Sequence, residues 1–260
     1  MKNDLYVHFH PNERPFVDRA SEWVERAAYA HELKATDFLD PREAQILQSL
    51  VNRNPDVGLR LVGGYEGAER RRAFIAPDYR VLDDEPDRIA LLKITGGSQG
   101  HLELDHGDYL GALLGLGIKR DRIGDLHVHD TFCHCLIIEE IADYLNIHLR
   151  QVHRVHVLTD IIPLSELQVA KTALEEMNLS VASLRLDGIC SDVYRISRSK
   201  IVDPIRAGRC RVNWKVEEDP SAQLKDGDVI SFKGLGRFRV LNVEGITKKG
   251  RLRVKIGKYI

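Results

Sequence analysis

Residues 185–213, RLDGICSDVYRISRSKIVDPIRAGRCRVN, restrict this chain more than any other stretch. Leu186, Ile189 and Val193 recur on one helical face, so the segment predicts a short amphipathic helix. A turn follows at Arg195 and Ile196. Ser197 is then placed to cap a second helix, its hydroxyl accepting from an amide of the next turn. Gly208 stands where a helix ends on a left-handed residue, and Cys210 to Val212 reads as a strand running into a turn at Asn213. Pro204 falls inside the second helix and predicts a kink, because it removes one i to i−4 hydrogen bond. The outward-pointing side chains are mostly cationic: Arg185, Arg195, Arg198, Lys200, Arg206, Arg209, Arg211 and Lys215, against Asp187, Asp192 and Asp203.

That basic character is local. From position 185 onward the chain has 18 Lys and Arg against 9 Asp and Glu, and before it 20 against 30, so a formal charge of −1 conceals two oppositely charged parts. A small module of that sign and density is the electrostatic footprint of a polyanion partner; its plainer alternative is a solvated face. A length of 260 residues suggests one to three domains, with 43% hydrophobic and 30% charged residues as in globular proteins generally. The opening MKNDLYVHFH has no apolar run fit for a signal peptide, and no later run approaches a membrane span, so a cytoplasmic protein without membrane contact is expected. Cys133, Cys135, Cys190 and Cys210 show no paired CxxC spacing and read as reduced, structural thiols.

The N-terminal part, 1–80, reads as a mostly helical domain with a β-hairpin. Phe16, Ala20, Trp23, Val24 and Ala27 form one stripe between Phe16 and Tyr29. Asp40-Pro41-Arg42-Glu43 is a capping box opening a helix to about Asn52. Leu59 to Val62 and Arg70 to Ile75 form a strand pair around Gly63-Gly64, which lacks the ending of a phosphate loop. The triple Arg70-Arg71-Arg72 is compatible with RNA contact or with a charged, solvated edge strand. Asp83 to Asp87 reads as a linker into a second domain, 81–180. There the order is β-α-β-β-α-β, with strands at 89–95, 123–129, 132–138 and 152–158 and helices at 106–116 and 139–149. This is a ferredoxin-like arrangement, whose open sheet face commonly meets RNA. A further helix, capped by Ser165, is expected to carry Leu167, Ala170 and Leu174 toward the third domain, 181–260.

A two-residue turn at Asp130 and Thr131 sets Leu126 opposite Cys135, His127 opposite His134 and Val128 opposite Cys133. Leu126, Val128, Cys133 and Cys135 then pack beneath the helices. His127, His129, Phe132 and His134 take the other face, joined by Arg154 and His156 of the last strand, in a pattern compatible with base stacking. Alternation sends the cysteines and histidines to opposite faces, which argues against a zinc site.

The spacing of Arg185-Leu186-Asp187, Ser197-Arg198-Ser199-Lys200, Gly208, Val212-Asn213, Leu224, Gly227-Asp228 and Ile230 resembles the S-four RNA-binding domain over about 183–258. Trp214 stands where many such domains have glycine. Nearly the whole chain resembles the YlmH family, on GGYEGAERRRAFIAPDY from Gly63, LDHGDYLGALLGLGIKRDRIGD from Leu104 and SLRLDGICSDVYRISRSKIVDPIRAGRCRVNWK from Ser183. The resemblance implies an α+β protein with an S-four domain of alpha-L type at its C-terminus. It also implies a non-enzymatic protein that binds rRNA of the large ribosomal subunit and tRNA. Such a protein would hold peptidyl-tRNA on obstructed subunits in ribosome-associated quality control, beside other quality-control factors; a link to cell division is also implied. No cofactor, metal or catalytic residue is called for. The RNA-binding residues expected are Arg185, Ser197, Arg198, Lys200, Arg206, Arg209, Arg211 and Lys215, with His127, His129, Phe132, His134 and Arg154 on the middle sheet. The rival readings are an RNA-modifying enzyme of the pseudouridine-synthase kind, since Arg185-Leu186-Asp187 is superficially similar to that aspartate motif, and a protein-interaction scaffold built on the acidic half.

Overall fold

The structure, a computed structural model, describes residues 6–96, 104–171, 173–246 and 250–259; the first five residues of the opening segment lie outside these. It divides into two compact units, Asn12–Ala170, and Lys171–Ile260 with Met1–Pro11. From Asn12 to Ala170 the stretches read as 1–80 and 81–180 thus share one unit, and residues 1–11 and 171–180 go to the other.

In the first unit, α1 (Arg14–Ala30) buries Phe16, Val17, Ala20, Val24 and Ala27, the expected stripe, with Trp23 half-buried at its margin. β1 (Lys34–Leu39) comes next. α2 (Pro41–Val51) opens on the expected box: the Asp40 carboxylate accepts the Glu43 N–H at 2.8 Å, and the Glu43 carboxylate accepts the Asp40 N–H at 3.0 Å. β2 (Val57–Val62) and β3 (Arg71–Pro77) complete a three-stranded sheet in the order β1-β3-β2. β1 went unread in the sequence because its pairing slips between Ala35 and Phe38. The bulge breaks the alternation, and the Thr36 hydroxyl accepts the Ala73 N–H at 2.9 Å in place of a ladder partner.

The same unit continues with β4 (Ile89–Gly96), α3 (His106–Gly115), β5 (Ile123–Val128), β6 (Phe132–Ile138), α4 (Ala142–His148), β7 (Gln151–Val152) and β8 (Val155–Ile162). Sheet order is β5-β6-β4-β8-β7 with every neighbour antiparallel. Its first four strands have the expected split βαβ topology. The hairpin register is as derived, Leu126 opposite Cys135, His127 opposite His134 and Val128 opposite Cys133. Cys133 and Cys135 lie in the core with Leu126 and Val128 against them.

In the second unit, β9 (Leu174–Val181), α5 (Leu186–Tyr194), α6 (Arg198–Arg206), β10 (Cys210–Val212), β11 (Lys215–Val216), β12 (Val229–Phe232), β13 (Gly236–Ile246) and β14 (Leu252–Tyr259) give a six-stranded sheet in the order β11-β10-β12-β13-β14-β9. Leu186, Ile189, Cys190 and Val193 of α5 and Ile201 and Ile205 of α6 share one core with Cys210, Ile230, Phe232, Phe238, Val254 and Ile256. Both helices therefore cover the same face of this sheet. The helix expected from Ser165 to Leu174 does not form. A single 3-10 turn, Leu164–Glu166, stands at the head of that stretch, and β9 pairs along β14 from Val181 opposite Leu252 to Leu174 opposite Tyr259. Edge pairing and the seating of Leu167 in a core override the local helical pattern. All four cysteines are free and buried, as the spacing suggested, and burial pushes Cys135 up to about 12.

Candidate nucleic-acid interface

α5 begins at Arg185, its N-cap, and ends on Arg195 in the left-handed region at φ 54°. The turn is closed by Ser191, whose hydroxyl donates to the Ile196 carbonyl at 2.6 Å. Ser197 holds the N-cap position of α6, but its hydroxyl does not cap; it meets the Ser199 hydroxyl at 3.3 Å. The first turn is closed instead by the Ser197 carbonyl, which accepts the Lys200 N–H at 2.9 Å. α6 continues through Pro204 to Arg206 without interruption. The carbonyl that proline leaves unpaired is that of exposed Lys200, within reach of water. At the far end Gly208, φ 69°, donates to the Ile205 carbonyl at 2.9 Å and Arg209 to the Pro204 carbonyl at 3.1 Å, a complete Schellman closure that places Arg209.

The centre of the cluster is a residue that the sequence reading set among the opposing charges and within the Arg185-Leu186-Asp187 motif, but not among the binding residues. Asp187 is 2% exposed and is gripped by two arginines. Arg185 donates through Nε at 3.2 Å and Nη2 at 2.9 Å, and Arg198 donates through Nη2 to both carboxylate oxygens at 2.8 and 2.9 Å. Burial works to raise the Asp187 pKa, but the hydrogen bonds and charge of Arg185 and Arg198 outweigh it and hold the carboxyl below its ordinary value. The Arg198 side chain remains 54% exposed and that of Arg185 37%, so both present unused N–H groups outward from a fixed base. A hollow of about 200 Å³ beside them is also lined by Ser183, Gly188, Ser191 and Arg251. The sequence signal for this clamp was an aspartate two residues from an arginine and flanked by buried Leu186 and Ile189, with a second arginine one helix on.

Lys200, Arg206 and Arg209 are exposed along α6 and its exit, and Arg209 touches the Lys233 carbonyl at 3.3 Å. Arg211 belongs elsewhere. Cys210 and Ile230 of its sheet face the helices, so Arg211, next to Cys210 and opposite Ser231, rises on the other face. Lys215 is exposed on the edge strand β11, opposite Val212.

The middle sheet is not the open face that was expected. Leu91, Leu136 and Ile138 lie on the histidine side, and Phe38, Tyr65, Leu164 and Leu167 pack against them. His127 is 5% and His134 2% exposed. Residues 167–170 run across them, with the Gln168 N–H donated to His134 Nδ1 at 3.1 Å and the Ala170 N–H to His127 Nδ1 at 3.3 Å. Burial, then the charges of His129, Lys93 and His127, lowers His134 to about 4, and burial lowers His127 as well. Both rings are neutral acceptors at pH 7 and supply no cation to a phosphate. The hairpin end stays accessible, and there His129 stacks on Phe132 at 4.5 Å and the Lys93 ammonium lies 5.3 Å from the Phe132 ring. Arg154 is not on a strand; it forms a turn with His153 between β7 and β8, and is exposed.

The arginine triple does not open an edge strand, and two of its members are spent inside the fold. β3 is the central strand; Arg72 is 3% exposed, donating to the Thr36 carbonyl at 2.8 Å and the Arg88 carbonyl at 2.5 Å, and Arg70 donates to the carbonyls of Ile123 and Phe38. The glycine-rich loop before it closes on Asp125, which accepts from the Tyr65 hydroxyl at 2.9 Å, the Glu69 N–H at 2.7 Å and the Arg70 N–H at 3.1 Å. Gly63 is required there, since a Cβ would stand 2.2 Å from that of Ala68. Among the described residues no group of three or more His, Cys, Asp or Glu is placed to hold a metal ion, and no helix is long and apolar enough to cross a membrane.

Two family models match within the first unit. Residues 12–80 match the family model described as "YlmH, N-terminal", and residues 84–166 the one described as "Putative RNA-binding domain in YlmH". A protein of Bacillus subtilis (strain 168) named ribosome-associated protein quality control protein P2 is 37% identical over 252 residues, covering 97% of each chain. Among solved structures, cell division protein ylmH from Streptococcus pneumoniae superposes with a TM-score of 0.53 at 21% identity, over 61% of this chain and 96% of that one, which is a likeness of fold.

Proposed function

This chain belongs to the YlmH family, and on that premise we propose that it is a non-enzymatic, cytoplasmic RNA-binding protein that docks on rRNA of the large ribosomal subunit and holds peptidyl-tRNA on stalled subunits during ribosome-associated quality control. One observation carries the reading: a buried carboxylate fixes two half-exposed arginines at the mouth of a two-helix frame. A merely solvated cationic face needs no such anchor, because free side chains in water lose entropy when they are held. Arginines held in place are suited to the fixed spacing of phosphates on a folded RNA. Lys200, Arg206 and Arg209 extend the same cationic side. The near full-length match to a relative named for ribosome-associated quality control supplies the setting.

The test is sedimentation of the tagged protein with ribosomal subunits enriched for stalled chains, followed by crosslink mapping to RNA. Co-sedimentation with the large subunit in dilute buffer and release in high salt are expected, with a slope of log affinity on log salt of about −3 to −5 for some five neutralised phosphates. Absence from the large subunit at low salt overturns the reading.

A further inference from the structure

The C-terminal sheet has a second face, turned away from α5 and α6. Phe238, Val254 and Ile256 point into the core with the helices, so Arg237, Arg239, Arg253 and Lys255 rise on the opposite side with Arg211 and Ser231. There the Arg237 guanidinium lies 5.2 Å from the centre of the Trp214 ring and 4.7 Å from that of Tyr259. Arg211 and Arg239 are exposed beside this stack. Glu176, which shares the face, is tied to Lys255 at 2.8 Å.

Trp214 is the unusual member. It is the second residue of the two-residue turn joining β10 and β11, and both turn residues are left-handed, Asn213 at φ 49° and Trp214 at φ 65°. Asn213 suits its place, accepting the Val229 N–H at 3.0 Å and donating to Asp228 at 2.8 Å. The position after it favours glycine, since a side chain there crowds its own backbone. A half-buried indole held in that conformation outside the core needs another reason to be there.

We propose that this outer face is a second RNA-contact surface, on which an unpaired base stacks against the Trp214–Arg237–Tyr259 array while Arg211 and Arg239 meet its flanking phosphates. The inference rests on the reading of the chain as RNA-binding but concerns a different side of the unit. Unpaired rather than duplex RNA is indicated because indole and phenol rings beside guanidinium groups offer flat, sequence-tolerant stacking surfaces, which a base can use only when splayed from a helix.

The experiment uses the full chain carrying Trp23→Phe, so that Trp214 is the remaining indole, titrated with single-stranded oligoadenylate of about ten nucleotides. Binding should quench Trp214 emission, and quenching should persist when Arg198→Ala is added. Trp214→Gly, which relieves the turn and keeps the fold, should weaken oligoadenylate binding about tenfold. The proposal is overturned if rRNA binding persists while Trp214 emission is unmoved and Trp214→Gly binds oligoadenylate as tightly. It is equally overturned if oligoglutamate competes as well as oligoadenylate, which would make the face a site for acidic protein. Absence of rRNA binding by the natural chain at low salt would remove the proposed function itself, and this inference with it.

Discussion

Asp187 joins the stability of the C-terminal unit to the RNA surface proposed for it in one side chain. Replacing it with asparagine keeps the shape but removes the charge that Arg185 and Arg198 grip, so a loss of about 2 kcal/mol in urea unfolding is expected together with weaker RNA binding. Its folded pKa is depressed. The stabilisation is therefore fully present above the unfolded value near 4 and fades as pH falls through and below it, and melting curves recorded from pH 6 to pH 2 should converge for Asp187→Asn and the natural chain. A constant gap across that range would deny the carboxylate its role. Arg198→Ala differs in kind. Asp187 keeps Arg185, and the removed side chain is half exposed, so the melting temperature should fall little while RNA affinity drops.

The same reasoning one level up concerns how elements are tied together. Residues 63–70, which in sequence look like a flexible glycine turn followed by a basic run, are locked to β5 through Asp125. Asp125→Ala leaves two backbone amides and a phenol without their acceptor. A loss of about 2–3 kcal/mol is expected, read as faster amide exchange across residues 63–76 with the C-terminal unit unaffected. Unchanged exchange there would show the loop to be held by packing alone. The edge-strand reading of the arginine triple failed for a related reason: charge density marks a solvated face only when a strand is at an edge, and nothing in the letters Arg70 to Arg72 tells that β3 is central. Capping boxes at Asp40 and Asp105, in contrast, were or could be read directly, because every bond in them is local.

For the whole molecule, the boundary of the C-terminal unit decides what can be isolated. β9 covers the edge of β14 along its length, although a domain beginning at 181 or 183 would omit it. A fragment of residues 171–260 is expected to unfold cooperatively, whereas 183–260 exposes the long edge of β14 and should aggregate or melt well below it in calorimetry. Equal melting of the two would make β9 dispensable.

What the sequence by itself determined was what depends on near neighbours: the stripe of α1, the capping box at Asp40, the helix–turn–helix of 186–206 with its left-handed exit at Gly208, the register of His127 against His134, and the separation of charge between the two parts of the chain. Alternation stated correctly which side chains of β5 and β6 share a face of the middle sheet, though not Arg154, which lies in a turn. Whether that face is open was decided only when Phe38, Tyr65 and Leu167, distant in the chain, packed onto it. The same holds for the union of Arg185 and Arg198 over Asp187 and for the placing of Arg211 beside Trp214 and Arg237 rather than with α6. Periodicity fixes direction relative to the local backbone; burial is settled by which remote segment gains most from covering that direction, and that competition is written in no single stretch of sequence.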